Sequence, residues 1–103
     1  VVIDGKSYGT ASGMAPAAQI AVYKVCWEGK EGVDAGCAGS DLVKAIDDAV
    51  ADGVDVINFS IGGSESGVFD DVELSFLFAA EAGVFVAASA GNSGPGAATL
   101  GHV

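Results

Sequence analysis

Asp52-Gly53-Val54-Asp55-Val56-Ile57-Asn58-Phe59-Ser60-Ile61-Gly62-Gly63 decides the fold of this chain, because a helix end, a stop and a strand meet within it. Upstream, Leu42, Val43, Ile46, Ala49 and Val50 share one face at helical spacing. Ser40 is the expected N-cap, and Asp41 sits in the first turn, where the helix dipole favours an acid. Gly53 stands just past that helix, at a position where glycine adopts a left-handed backbone without steric penalty. Val54 to Phe59 then reads as a strand, and the loop Ser60 to Gly67, dense in Gly and Ser, cannot continue it.

The same order recurs downstream. A helical pattern runs from about Asp70 to Ala82, with Leu74, Leu77, Phe78 and Ala82 expected inward and acids gathered at its start. Gly83 stops it, and Val84-Phe85-Val86-Ala87-Ala88 follows as a strand apolar enough to be covered on both faces. Upstream, Ile20-Ala21-Val22-Tyr23-Lys24-Val25 reads as a further strand, entered from the turn signal Gly13-Met14-Ala15-Pro16. The expected class is therefore α/β, a βαβαβ run over residues 20–103 in a mainly parallel sheet, with a loop-rich lead-in over residues 1–19 and a short strand at Val1 to Ile3. The pattern Gly-Val-x-Val occurs at Gly53 and again at Gly83, the rhythm of right-handed crossovers. Two copies are too few for a solenoid. Three strands and two helices leave long apolar sheet edges bare, which points to a larger parent domain that covers them.

Composition narrows the partners. Half of the 103 residues are apolar, and the mean hydropathy of +0.48 is too high for a disordered acidic tail despite a formal charge of -10. Four Lys and Arg against fourteen Asp and Glu make nucleic acid and anionic membrane surfaces poor partners, since both are bound mainly through basic side chains. Glu81 splits the most hydrophobic stretch, Phe76 to Val86, so no membrane-spanning run exists. Val1-Val2-Ile3-Asp4 has no initiator Met or basic leader and reads as internal sequence. Cys26 and Cys37 permit one disulfide, but two cysteines alone do not decide the pairing.

In open parallel sheets, ligands sit beyond the carboxyl ends of the strands, which directs attention to Ser60 to Gly67 and Ser89 to Pro95. Asn92 could donate its amide to a carbonyl oxygen acquiring negative charge. It could equally be a turn residue between glycines, because Asn tolerates left-handed backbone, and Ser60-Ile61-Gly62-Gly63 could be a plain strand exit.

Four motifs, in order, shift that balance: Gly13-Met14-Ala15-Pro16, Val22-Tyr23-Lys24-Val25-Cys26-Trp27, the Asp52 to Gly63 stretch, and Ala90-Gly91-Asn92-Ser93-Gly94-Pro95. Together they resemble subtilases, most of all the plant-type enzymes and related secreted bacterial ones, over Ser7 to Val103. The resemblance implies the central part of a three-layer subtilisin-like catalytic domain. It implies that Asn92 completes an oxyanion hole and that Ser60, Ile61 and Gly62 pair with an extended substrate backbone. Ser89, Ala90 and Gly91 would form one wall of the pocket for the side chain before the scissile bond, the other wall coming from beyond Val103. The similar plant enzymes join cysteines placed like Cys26 and Cys37, which implies an oxidising, secreted location. A polypeptide substrate and the remainder of the parent domain are the implied partners. No cofactor is expected; structural calcium occurs in some subtilases, but no ligand set for it is recognisable in this sequence.

The departures from the family pattern define the limits of this stretch. A serine protease needs a nucleophile, a base and a carboxylate that orients the base. The family's Asp segment, His-Gly-Thr motif and Gly-Thr-Ser motif are all missing, and His102 does not match the catalytic His and reads as an ordinary loop residue. The 103 residues alone are expected to be inactive. Gly5-Lys6-Ser7-Tyr8-Gly9 fits the nucleophile-elbow spacing, and Gly5-Lys6-Ser7 the end of a phosphate loop, but no helix start follows either. Asp47-Asp48 and Asp70-Asp71 read as a solvated helix face and a helix start rather than metal ligands. A rival reading from another class is a non-catalytic, flavodoxin-like α/β binding module, which shares the element order and the Gly-rich strand exits.

Overall fold

The computed structural model describes residues 1–29, 36–62 and 70–102; the part of the expected strand-exit loop from Gly63 to Gly67 lies outside them. Two antiparallel hairpins come first, β1 (Val2–Ile3) with β2 (Lys6–Ser7) and β3 (Cys26–Trp27) with β4 (Gly36–Cys37). Ser7 therefore lies in a short strand and not at an elbow. Then follow α1 (Gly39–Ala51), β5 (Val56–Phe59), α2 (Asp71–Glu81) and β6 (Phe85–Ala88).

The Gly-Val-x-Val repeat has a common structural cause. Past α1, Gly53 adopts φ +78 and donates to Val50 O at 3.1 Å, while Val54 N donates to Ala49 O at 3.2 Å. Past α2, Gly83 adopts φ +89 and donates to Ala80 O at 3.0 Å, while Val84 N donates to Ala79 O at 3.0 Å. Both are paired helix-end bonds that satisfy the last carbonyls and require a left-handed residue, so glycine is needed at both places. Each turn hands the chain to a strand, and β5 and β6 pair in parallel, Val56 with Phe85 through Phe59 with Ala88.

One face of this sheet meets the helices, where Leu42, Ile46, Phe59, Phe76, Ala79 and Val84 form the core with Ile57 and Val86 packed beside them. The opposite face leaves Val56 and Phe85 exposed. The α/β class with parallel pairing holds, and a second covering layer is not among the described elements.

Three local expectations change. Ile20 to Val25 forms no hydrogen-bonded strand; Ile20 and Val22 are exposed, and a cleft of about 940 Å³ floored by Leu42, Ile46 and Ala49 separates this segment from β5. A β-prone segment becomes a strand only beside an edge that can accept its hydrogen bonds. Helix α1 begins at Gly39 with Ala38 at the cap position and no side-chain cap, so Ser40 lies inside the first turn. Helix α2 buries Ser75, Phe76 and Ala79, whereas Leu74, Leu77, Phe78 and Ala82 are exposed. Its sequence is apolar nearly all round, so spacing alone does not select the inner face. The selection comes from Phe76 meeting Phe59 edge to face at 5.0 Å.

Candidate functional site

Parallel pairing brings the ends of β5 and β6 side by side, and with them the two loops singled out from sequence. Ser89 N donates to Phe59 O at 3.0 Å, extending the ladder one residue beyond the strands, and Ser89 Oγ donates to Ile61 O at 3.1 Å. Ser60 and Gly62 are exposed, and Ile61 is half-buried against the core. Asn58 Nδ2 donates to Ser60 Oγ at 3.1 Å, which orients the start of that exit. Ser89 thus ties the β6 exit to the end of β5 through its backbone and to Ser60–Gly62 through its side chain.

A third segment returns to the same place. Gly101 N donates to Ala90 O at 3.1 Å, and a side chain at Gly91 would project toward Gly101 N at 3.8 Å and Thr99 O at 3.9 Å. Gly91 holds φ +89, a conformation costly for any residue with a Cβ. Thr99 to Gly101 therefore packs against the backbone at Gly91. Asn92 follows directly on the exposed side of that turn, and no hydrogen bond among the described residues engages its carboxamide.

His102 departs most from its expected role as an ordinary loop histidine. Its side chain is only 8% exposed; Nδ1 donates to Glu73 Oε1 at 2.5 Å and Nε2 donates to Ile61 O at 2.8 Å. The ring stands edge-on to Phe59 and Phe76, with centroids 5.5 and 5.6 Å away. Burial pulls its pKa down, but the Ile61 carbonyl, the Glu73 carboxylate and the nearby Asp70 charge outweigh burial and hold it above the usual histidine value. Sequence offered no signal for this, because Glu73 is 29 residues away and Ile61 is 41.

In each of the two acidic pairs, one member has a structural partner. Asp70 caps α2 by accepting from Val72 N and Glu73 N, both at 2.9 Å, and Asp48 pairs with Lys44 one helical turn away. Among the described residues, no group of three or more His, Cys, Asp or Glu is placed to hold a metal ion. Among the described residues, no helix is long and apolar enough to cross a membrane. Cys26 and Cys37 sit opposite each other across β3 and β4 and are joined as a disulfide.

The profile described as "Peptidase_S8: Subtilase family" matches residues 2–102. The chain belongs to the subtilase family. Among its curated relatives, Subtilisin-like protease SBT1.5 of Arabidopsis thaliana is 48% identical over 100 residues, covering 96% of this chain and 12% of the relative. SBT1.7 and SBT1.3 of the same plant are 47% and 48% identical over the same length and shares. This subtilase segment thus spans about an eighth of the relatives it matches. The family match takes the place of the flavodoxin-like alternative.

Proposed function

We propose that these residues are the central part of the catalytic domain of a secreted serine endopeptidase, contributing a substrate-binding strand, a pocket wall and an oxyanion donor. The observation that carries this reading is the joining of Ser60–Gly62 to Ser89–Gly91 at the carboxyl ends of adjacent parallel strands. That is where an open α/β sheet binds its ligands.

In this reading the exposed backbone of Ser60–Gly62 pairs with an extended peptide, recognising main chain with little regard to side chains. Ser89, Ala90 and Gly91 flank the side chain preceding the scissile bond, and their small size leaves it room. When a nucleophile attacks, the carbonyl oxygen gains negative charge, and the Asn92 amide donates to it more strongly than to the neutral carbonyl. A donor that tightens only as charge develops lowers the barrier, not the ground state. Nucleophile, base and carboxylate come from the remainder of the parent domain. The bare edge of β5, the cleft beside it and exposed Val56, Phe85, Leu77 and Phe78 support that remainder as the covering partner. The Cys26–Cys37 disulfide supports an oxidising, extracytoplasmic setting.

The test compares the intact protein, its Asn92→Ala variant and the isolated 103 residues. Asn92→Ala should lower kcat by about 10²–10³ with little change in KM, a figure carried over from the family's own oxyanion Asn and not calculated from this geometry. The isolated residues should take up no serine-directed active-site titrant. An unchanged kcat in Asn92→Ala, or stoichiometric labelling of the isolated residues, contradicts the reading.

A further inference from the structure

We propose that His102 is a positioning residue: its doubly hydrogen-bonded ring clamps the Ile61 carbonyl and so holds Ser60–Gly62 in place for an extended peptide. This role rests on the protease reading above, but the clamp itself is visible in the contacts.

Both ring nitrogens of His102 face acceptors, the Glu73 carboxylate and the Ile61 carbonyl, and only the imidazolium has a proton for each. The ring is enclosed by Phe59 and Phe76, so water has little access to replace either bond. Ile61 O accepts from Ser89 Oγ as well, so its two lone pairs are both occupied and the strand exit is fixed from two sides. The clamp therefore links three separate pieces of chain: the start of α2, the exit of β5 and the segment that returns past Gly91.

Loss of one proton breaks this arrangement asymmetrically. The neutral ring keeps a single N–H, and the charged Glu73 competes for it better than an amide carbonyl does. Nε2 then turns a lone pair toward the Ile61 oxygen, and attraction becomes repulsion. Among the described residues, the charged groups facing His102 are Glu73 on α2 and Asp70 at its N-cap. From the described part of the β5 exit the Ile61 carbonyl faces the ring, and the β6 end contributes Ala88 and Ser89, which carry no charge. Because the folded pKa is raised, the clamp is complete below the ordinary histidine value and is lost as pH rises through the raised one.

The experiment uses the intact protein and two substrates: an extended peptide anilide long enough to pair with Ser60–Gly62, and a single-residue ester that is not. Their kcat/KM ratio cancels the titration of the catalytic base, which acts on both. In the wild type the ratio should fall about tenfold as pH rises through the His102 transition, equivalent to about 1.4 kcal/mol. His102→Gln, whose amide donates without titrating, should flatten the step, and Glu73→Gln should move it to lower pH. Hydrogen exchange of a peptide covering Ser60–Gly62, corrected for intrinsic rates, should accelerate over the same pH range in the wild type. A flat wild-type ratio with both substrates cleaved, or an identical step in His102→Gln, overturns the clamp and leaves the protease reading standing. Failure to cleave either substrate overturns the protease reading and the substrate role with it, while the exchange step would still report the clamp.

Discussion

Ile20–Val25 and Val56–Phe59 are similar in sequence and different in fate. Both are short runs rich in β-branched and aromatic residues. Val56–Phe59 pairs in register with Phe85–Ala88 and drives Phe59 into the core, whereas Ile20–Val25 lies across a cleft with Ile20 and Val22 exposed. The difference lies in what the neighbouring chain offers and not in propensity. A helix ending at Gly53 and another ending at Gly83 deliver two strands to adjacent places on one helical layer, and nothing comparable delivers an edge to Ile20–Val25.

Truncating one residue from each run in the intact protein, followed by chemical denaturation, measures the difference between them. Phe59→Ala should cost about 3–5 kcal/mol, because it removes the ring that contacts both Phe76 and His102 and leaves a cavity. Val22→Ala should cost less, about 1–2 kcal/mol, because Val22 is exposed in these residues and only the chain proposed to cover the cleft would bury it. A loss under about 0.5 kcal/mol at Val22 would show that the cleft stays open in the intact protein, and would count against the remainder of the parent domain as its cover.

A smaller contrast separates the two helix starts. Asp70→Ala should cost about 1 kcal/mol, because its carboxylate satisfies two amides of α2. Ser40→Ala should be near neutral, because α1 starts without a side-chain cap. Equal losses at the two positions would mean that Ser40 caps α1 after all.

The same contrast explains how much could be read in advance. The inner face of α1 was legible because Lys44, Asp47 and Asp48 mark the outer one, and Leu42, Ile46 and Ala49 are buried as their spacing implies. In α2 the apolar residues surround the axis, so the choice of Phe76 over Phe78 depends on the ring of Phe59 from a different element. Gly53 and Gly83 were legible because a left-handed helix exit leaves few alternatives to glycine. At the site, the two strand exits could be located from the βαβ order, but their side-chain tie through Ser89 and the reach of His102 to Glu73 and Ile61 could not. Contacts spanning 28 to 41 residues leave no periodic trace in sequence.

On the proposed reading, the paired exits of β5 and β6 form the substrate and oxyanion side of a protease site. The most direct test is a structure of the intact protein inhibited by a peptide aldehyde, which traps an oxygen where the developing charge would sit. The peptide backbone should pair with Ser60–Gly62, its terminal side chain should lie beside Ser89–Gly91, and Asn92 Nδ2 should stand within about 3 Å of the trapped oxygen. A peptide bound away from these exits, or an Asn92 amide turned from the oxygen, would contradict it.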